Sequence, residues 1–133
     1  MNTFDVYKVT IFVIGFTGLL FFIQLLIADV VGLRRKHQPG FPVDADYDDF
    51  FFRASRAFLN SNETASIFLM LAVFAMLSSA NATSLNTAAL VYFFARLFHM
   101  LFYYFSFSIL RSVSFTVSLI ALLAMFVIGY SAW

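Results

Sequence analysis

Four stretches of this chain are apolar enough, for long enough, to cross a bilayer, and the polar positions inside them are few. The first covers residues 7–31 and includes Ile11, Phe12, Val13, Ile14, Phe16, Leu19, Leu20 and Phe21; the others cover 49–79, 85–107 and 111–132. A helix needs about 20 apolar residues to span the ~30 Å hydrocarbon core, so each stretch is read as a transmembrane helix. The second is longer than required, and its first turns are expected to project into the aqueous interface. Pro39, Gly40 and Pro42 end the first helix and open a loop. Ala80-Asn81-Ala82-Thr83 is short and uncharged, as in a tight helical hairpin. A cleaved signal segment is the other reading of an N-terminal apolar run. This one is too long, carries Asp5 beside Lys8, and lacks a small-residue cleavage pattern. The pattern predicts an all-α membrane protein, a four-transmembrane-helix bundle forming a single domain over residues 1–133.

The polar exceptions fall on two faces. At ~100° per residue, Arg53, Arg56, Asn60 and Glu63 occupy an arc of roughly 80°. Arg96, His99 and Tyr103 share roughly 60° of the third helix. An ionised group facing lipid near the bilayer centre costs at least ~2.5 kcal/mol, so these faces are expected to point into protein or a water-filled pocket. Folding the chain about Asn81 sets Glu63 opposite His99 and Met100, with Arg96 one turn away, and Asn60 level with Phe102 and Tyr103. Arg111 follows, in the third connection or on the first turn of the fourth helix. Taken singly, His99 reads as a structural histidine, and a Glu63–Arg96 pair as a packing device. Together, Arg53, Arg56, Arg96 and Arg111 set four cations against the carboxylate of Glu63. That surplus calls for a small anionic ligand at the membrane edge.

The remaining charges lie outside these faces. Asp44, Asp46, Asp48 and Asp49 lack the glycine and closing glutamate of a calcium loop. They read as carboxylates that favour the N-terminus of the second helix and neutralise Arg34 and Arg35. Asp29 reads either as an interfacial carboxylate or as a support for those arginines.

Composition agrees with the pattern. The chain is 62% hydrophobic and 11% charged, with a mean hydropathy of +0.91, which excludes a soluble domain of this length. A net charge of +1 argues against a nucleic-acid partner. The lack of cysteine excludes disulfides, thiolate metal sites and a cysteine nucleophile, and no metal is expected. Basic residues gather in the first and third connections, so the positive-inside rule puts those connections in the cytoplasm and both termini on the opposite side.

Two segments carry a family resemblance. They are Arg56-Ala57-Phe58-Leu59-Asn60-Ser61-Asn62-Glu63, and Ala95-Arg96-Leu97-Phe98-His99-Met100-Leu101-Phe102-Tyr103 followed by Arg111-Ser112. The chain resembles the MAPEG family, the membrane-associated proteins of eicosanoid and glutathione metabolism. Within it, the sequence is most similar to the branch of microsomal glutathione transferase and prostaglandin E synthase, where the second helix reads Arg-Ala-His-x-Asn-x-x-Glu and the third Arg-x-x-His-x-x-x-Tyr. Phe58 departs from that histidine. The resemblance implies a homotrimer in the lipid bilayer with glutathione between neighbouring subunits near the cytoplasmic face. Arg34, Arg35, Arg53, Arg56, Asn60, Glu63, Arg96, His99, Tyr103 and Ser112 would then bind glutathione, and Arg111 would be catalytic, stabilising its thiolate. Glutathione is thus the expected cosubstrate, and a hydrophobic small molecule or lipid the other. The implied activity is a glutathione S-transferase of lipid metabolism or detoxification with a peroxidase-like side activity. The other reading is a non-catalytic lipid-binding or scaffold member of the family.

Overall fold

The computed structural model describes residue 2 and residues 4–133. Its regular elements are helical: a 3₁₀ turn at Asp5–Tyr7, then α1 (Lys8–Arg34), α2 (Phe50–Leu77), α3 (Ala82–Tyr104) and α4 (Ser108–Tyr130). All four long helices are apolar and long enough to cross a membrane. Short links between α2 and α3 and between α3 and α4 make consecutive helices antiparallel. α2 and α3 form the central pair, each packing against both α1 and α4.

The helix ends follow from local chemistry. Asp49 caps α2 by accepting from the Phe51 amide at 3.2 Å, and also pairs with Arg35, as read from the acidic loop. Asn81 caps α3 by accepting from the Ser84 amide at 2.9 Å. That cap starts α3 at Ala82, three residues before the expected Leu85. α1 continues to Arg34, past the expected Val31, and stops where Lys36 turns left-handed at φ 54°. α2 and α3 stop the same way, at Ser79 (φ 57°) and Ser106 (φ 62°). In each case the amide beyond the left-handed residue returns to the carbonyl five residues back, as Phe107 does to Phe102 at 2.8 Å.

After Phe51 and Phe52 in its first turn, the buried face of α2 is made of small residues, Ala54, Ala57, Ser61, Thr64, Ala72 and Ala75, with Phe68 among them. Small side chains let helices approach closely, which drives packing where lipid offers no hydrophobic gain. On α4, Gly129 abuts α2: a Cβ there would lie 2.7 Å from Phe74 and 3.1 Å from the Ala75 Cα. At this end the Tyr7 hydroxyl donates to the Ala80 carbonyl at 2.6 Å. Thr10 donates twice to the Asn86 side chain, which itself donates to the Val6 carbonyl. The start of α1 is thereby tied to the α2–α3 turn. Large apolar side chains such as Phe12, Phe16, Phe22, Leu69, Met70, Phe98 and Leu123 face outward, as a lipid solvent requires.

Candidate functional site

The polar residues of α2 and α3 meet, though not in the expected register. Arg96 is fully buried, and its Nη2 donates to Asn60 Oδ1 at 2.8 Å and to Ser61 Oγ at 3.0 Å. Ser61 in turn donates to Gln24 Oε1 at 2.8 Å, joining α1 to the cluster. Deeper in the bundle, Thr64 Oγ1 lies 2.8 Å from Tyr92 Oη, and Tyr92 stacks on Phe68 at 4.3 Å. Asn60 therefore stands level with Arg96 and not with Tyr103. The turn occupies Ser78–Asn81 and so is centred before Asn81, which slides α3 along α2, and the long arginine side chain covers the rest.

Glu63 forms no ion pair or hydrogen bond among the described residues and lies exposed, half-way along α2. Ser61 and Thr64 turn inward beside it, so Glu63 falls on the outer flank of the helix. Arg96 keeps two buried donors, Nε and Nη1, without a partner among the described residues. A buried guanidinium with spare donors is set up to receive an acceptor.

The other arginines gather at the α1–α2 loop end. Arg53 Nη1 donates to the Tyr47 carbonyl at 2.7 Å and Nη2 to the Tyr104 carbonyl at 3.4 Å. Arg56 is half-buried and Arg34 exposed, neither with a carboxylate partner among the described residues, whereas Arg35 is taken by Asp49. Asp29 pairs with none of them.

Arg111 lies on the first turn of α4, half-buried, its guanidinium over the faces of Tyr103 and Tyr47 at 4.5 and 5.2 Å. Tyr103 and His99 are buried on α3, ring edge to ring face at 5.0 Å. Ser112 is exposed and donates to its own helix at the Ser108 carbonyl (3.1 Å), so its hydroxyl is partly committed. Arg111 and Ser112 line a groove that continues through Val113 and Val117 into an apolar one of about 560 Å³, walled by Phe94, Phe98 and Phe102. No group of three or more histidines, aspartates or glutamates able to hold a metal occurs among the described residues.

Sequence reasoning passed over three of these groups. Gln24 lies on a buried stripe of α1 with Thr10 and Thr17 at seven-residue intervals, a spacing visible in the sequence. Ser61 showed only as a filler within a motif, and Tyr47 lies in the acidic loop, where no helical period groups it with Arg111.

These features define a four-helix membrane protein with a cationic site at one end, beside an outward-facing apolar groove. The chain belongs to the MAPEG family, whose family model matches residues 11–131. No curated protein sequence matches the chain. Membership makes it an integral, multi-pass membrane protein of a family associated with glutathione and eicosanoid metabolism.

Proposed function

We propose that this protein is a glutathione-dependent transferase of the microsomal glutathione transferase and prostaglandin E synthase branch. It would act on hydrophobic electrophiles, and on lipid hydroperoxides as a peroxidase. The observation that carries this reading is Arg111. Its guanidinium is held against two tyrosine rings, has no carboxylate partner among the described residues, and sits where the arginine cluster meets the apolar groove. Glutathione brings two carboxylates, an ammonium and a thiol. Arg34, Arg53, Arg56 and the free donors of Arg96 suit the carboxylates, with Asn60, His99 and Tyr103 completing the wall. Arg35 can join them only by sharing its bond with Asp49. Glu63 suits the ammonium.

A thiol of pKa ~8.5 is mostly protonated at neutral pH, and an adjacent guanidinium favours the thiolate. The proton passes to solvent, the sulfur lone pair forms a carbon–sulfur bond, and the electrophile's leaving group departs with its bonding pair. With a hydroperoxide, the thiolate takes the terminal oxygen and releases the alcohol, and a second glutathione displaces water to give the disulfide. The hydrophobic partner would arrive through the groove between α3 and α4.

Glu63 supports an assembly. A carboxylate exposed half-way along a spanning helix costs at least ~2.5 kcal/mol in lipid, a cost removed if a neighbouring copy covers it. A homotrimer with glutathione between subunits, its site on the cytoplasmic side and both termini opposite, accommodates this. Arg111→Leu is the test. Glutathione should still bind within a few-fold, turnover should fall ~100-fold or more, and Arg111→Lys should recover part of the rate. Full activity in Arg111→Leu, or wild-type protein that binds glutathione without any thiolate absorbance, would leave the lipid-binding scaffold as the better reading.

A further inference from the structure

We infer that Tyr47, in the link between α1 and α2, is a positioning residue for Arg111. This rests on the thiolate role proposed for Arg111. The Arg111 guanidinium lies over the Tyr47 ring at 5.2 Å and over the Tyr103 ring at 4.5 Å, so a loop residue and an α3 residue confine it together.

Tyr47 is itself held in place. Its carbonyl accepts from Arg53 Nη1 at 2.7 Å, and its ring meets the buried Phe52 edge-on at 5.0 Å. The turn that carries it is closed by the Asp48 amide donating to Asp46 Oδ1 at 3.0 Å and the Asp49 amide to the Asp46 carbonyl at 3.1 Å. Yet the residue is 53% exposed. A ring so exposed adds little to the core, although its orientation is fixed by its neighbours.

The choice of an aromatic neighbour has a chemical consequence. The same link carries Asp44, Asp46, Asp48 and Asp49, and none of them pairs with Arg111. A carboxylate there would neutralise the guanidinium and occupy its N–H edge. An aromatic face attracts the cation and leaves both the edge and the charge for a ligand. The ring also stands between Arg111 and water, and a charge acts more strongly across a lower local dielectric. Without Tyr47, the half-buried Arg111 is free to swing outward. The titratable and charged groups around Arg111 are the Tyr47 and Tyr103 phenols, His99 beyond Tyr103, and Arg53 behind Tyr47.

The experiment follows the ultraviolet thiolate band of bound glutathione against pH, with turnover, on full-length protein in mild detergent. Tyr47→Ala should raise the apparent thiol pKa by about one unit and lower turnover at neutral pH about tenfold. KM for glutathione should stay within about threefold, because other arginines hold the carboxylates. Tyr47→Leu, which keeps bulk without a π face, should behave like Tyr47→Ala, and serves where the alanine variant melts early. Tyr47→Phe should restore both pKa and rate. If Tyr47→Ala and Tyr47→Leu leave the pKa in place while Arg111→Leu abolishes the thiolate band, Tyr47 has no such role and the proposed function stands. If Tyr47→Phe fails as badly as Tyr47→Ala, the hydroxyl and not the ring matters, and the inference is overturned. If Arg111→Leu keeps the band, the functional reading itself falls.

Discussion

At the scale of single residues, Ser61 is the hinge of the buried polar cluster. Its one hydroxyl proton goes to Gln24 while its lone pair takes a donor from Arg96, so three helices share one oxygen atom. Ser61→Ala leaves Gln24 Oε1 without its donor and one more N–H of Arg96 without an acceptor, while Nη2 keeps its bond to Asn60. Each buried polar group left unpaired costs about 1–3 kcal/mol. The variant should melt measurably lower in detergent, whereas Ser112→Ala, at an exposed hydroxyl, should barely move. The arginines and the His99–Tyr103 face were legible because a charge in an apolar helix stands out and the helical period groups it. Ser61 was not, since a small polar side chain looks the same facing lipid or core, and Gln24 shows only through its seven-residue spacing from Thr17 and Thr10. Tyr47 was not legible because its contact with Arg111 depends on the path of a loop, which no period describes.

Among the helices, the sequence made their number and order clear, while rotation about their axes was not. Counting from a hairpin turn gives depth only roughly, and gives no azimuth. The small residues Ala54, Ala57, Ser61 and Thr64 decide which side of α2 turns inward, and they leave Glu63 on the flank. The same close packing makes Gly129 sensitive. A side chain there must displace Phe74 and press on the α2 backbone at Ala75. Gly129→Val should therefore cost about 1–3 kcal/mol, the usual range for overpacking. Gly15→Val, at a glycine whose added Cβ meets nothing within 4 Å in the chain, is the matched control. Thermal unfolding of the two in the same detergent checks this; equal melting temperatures would mean that α2 and α4 have room to part.

For the molecule as a whole, the single chain leaves Glu63 uncovered on the outer flank of α2, while Arg96 keeps unpartnered donors inside. The expected assembly is three copies of the 15.1 kDa chain, and mass measurement in mild detergent should find that particle; monomers or dimers alone would count against it. A further consequence comes from the opposite end of the bundle. There Tyr7, Thr10 and Asn86 bind α1 to the α2–α3 turn, and the Trp133 indole donates to Ser78 at 3.1 Å. At the arginine end the ties are Arg53 to the Tyr104 carbonyl, Arg111 on the Tyr103 ring, and Arg35 to Asp49. More hydrogen bonds thus join separate helices and turns at the Trp133 end than at the arginine end, so a strain that splays the bundle should be felt first among the arginines.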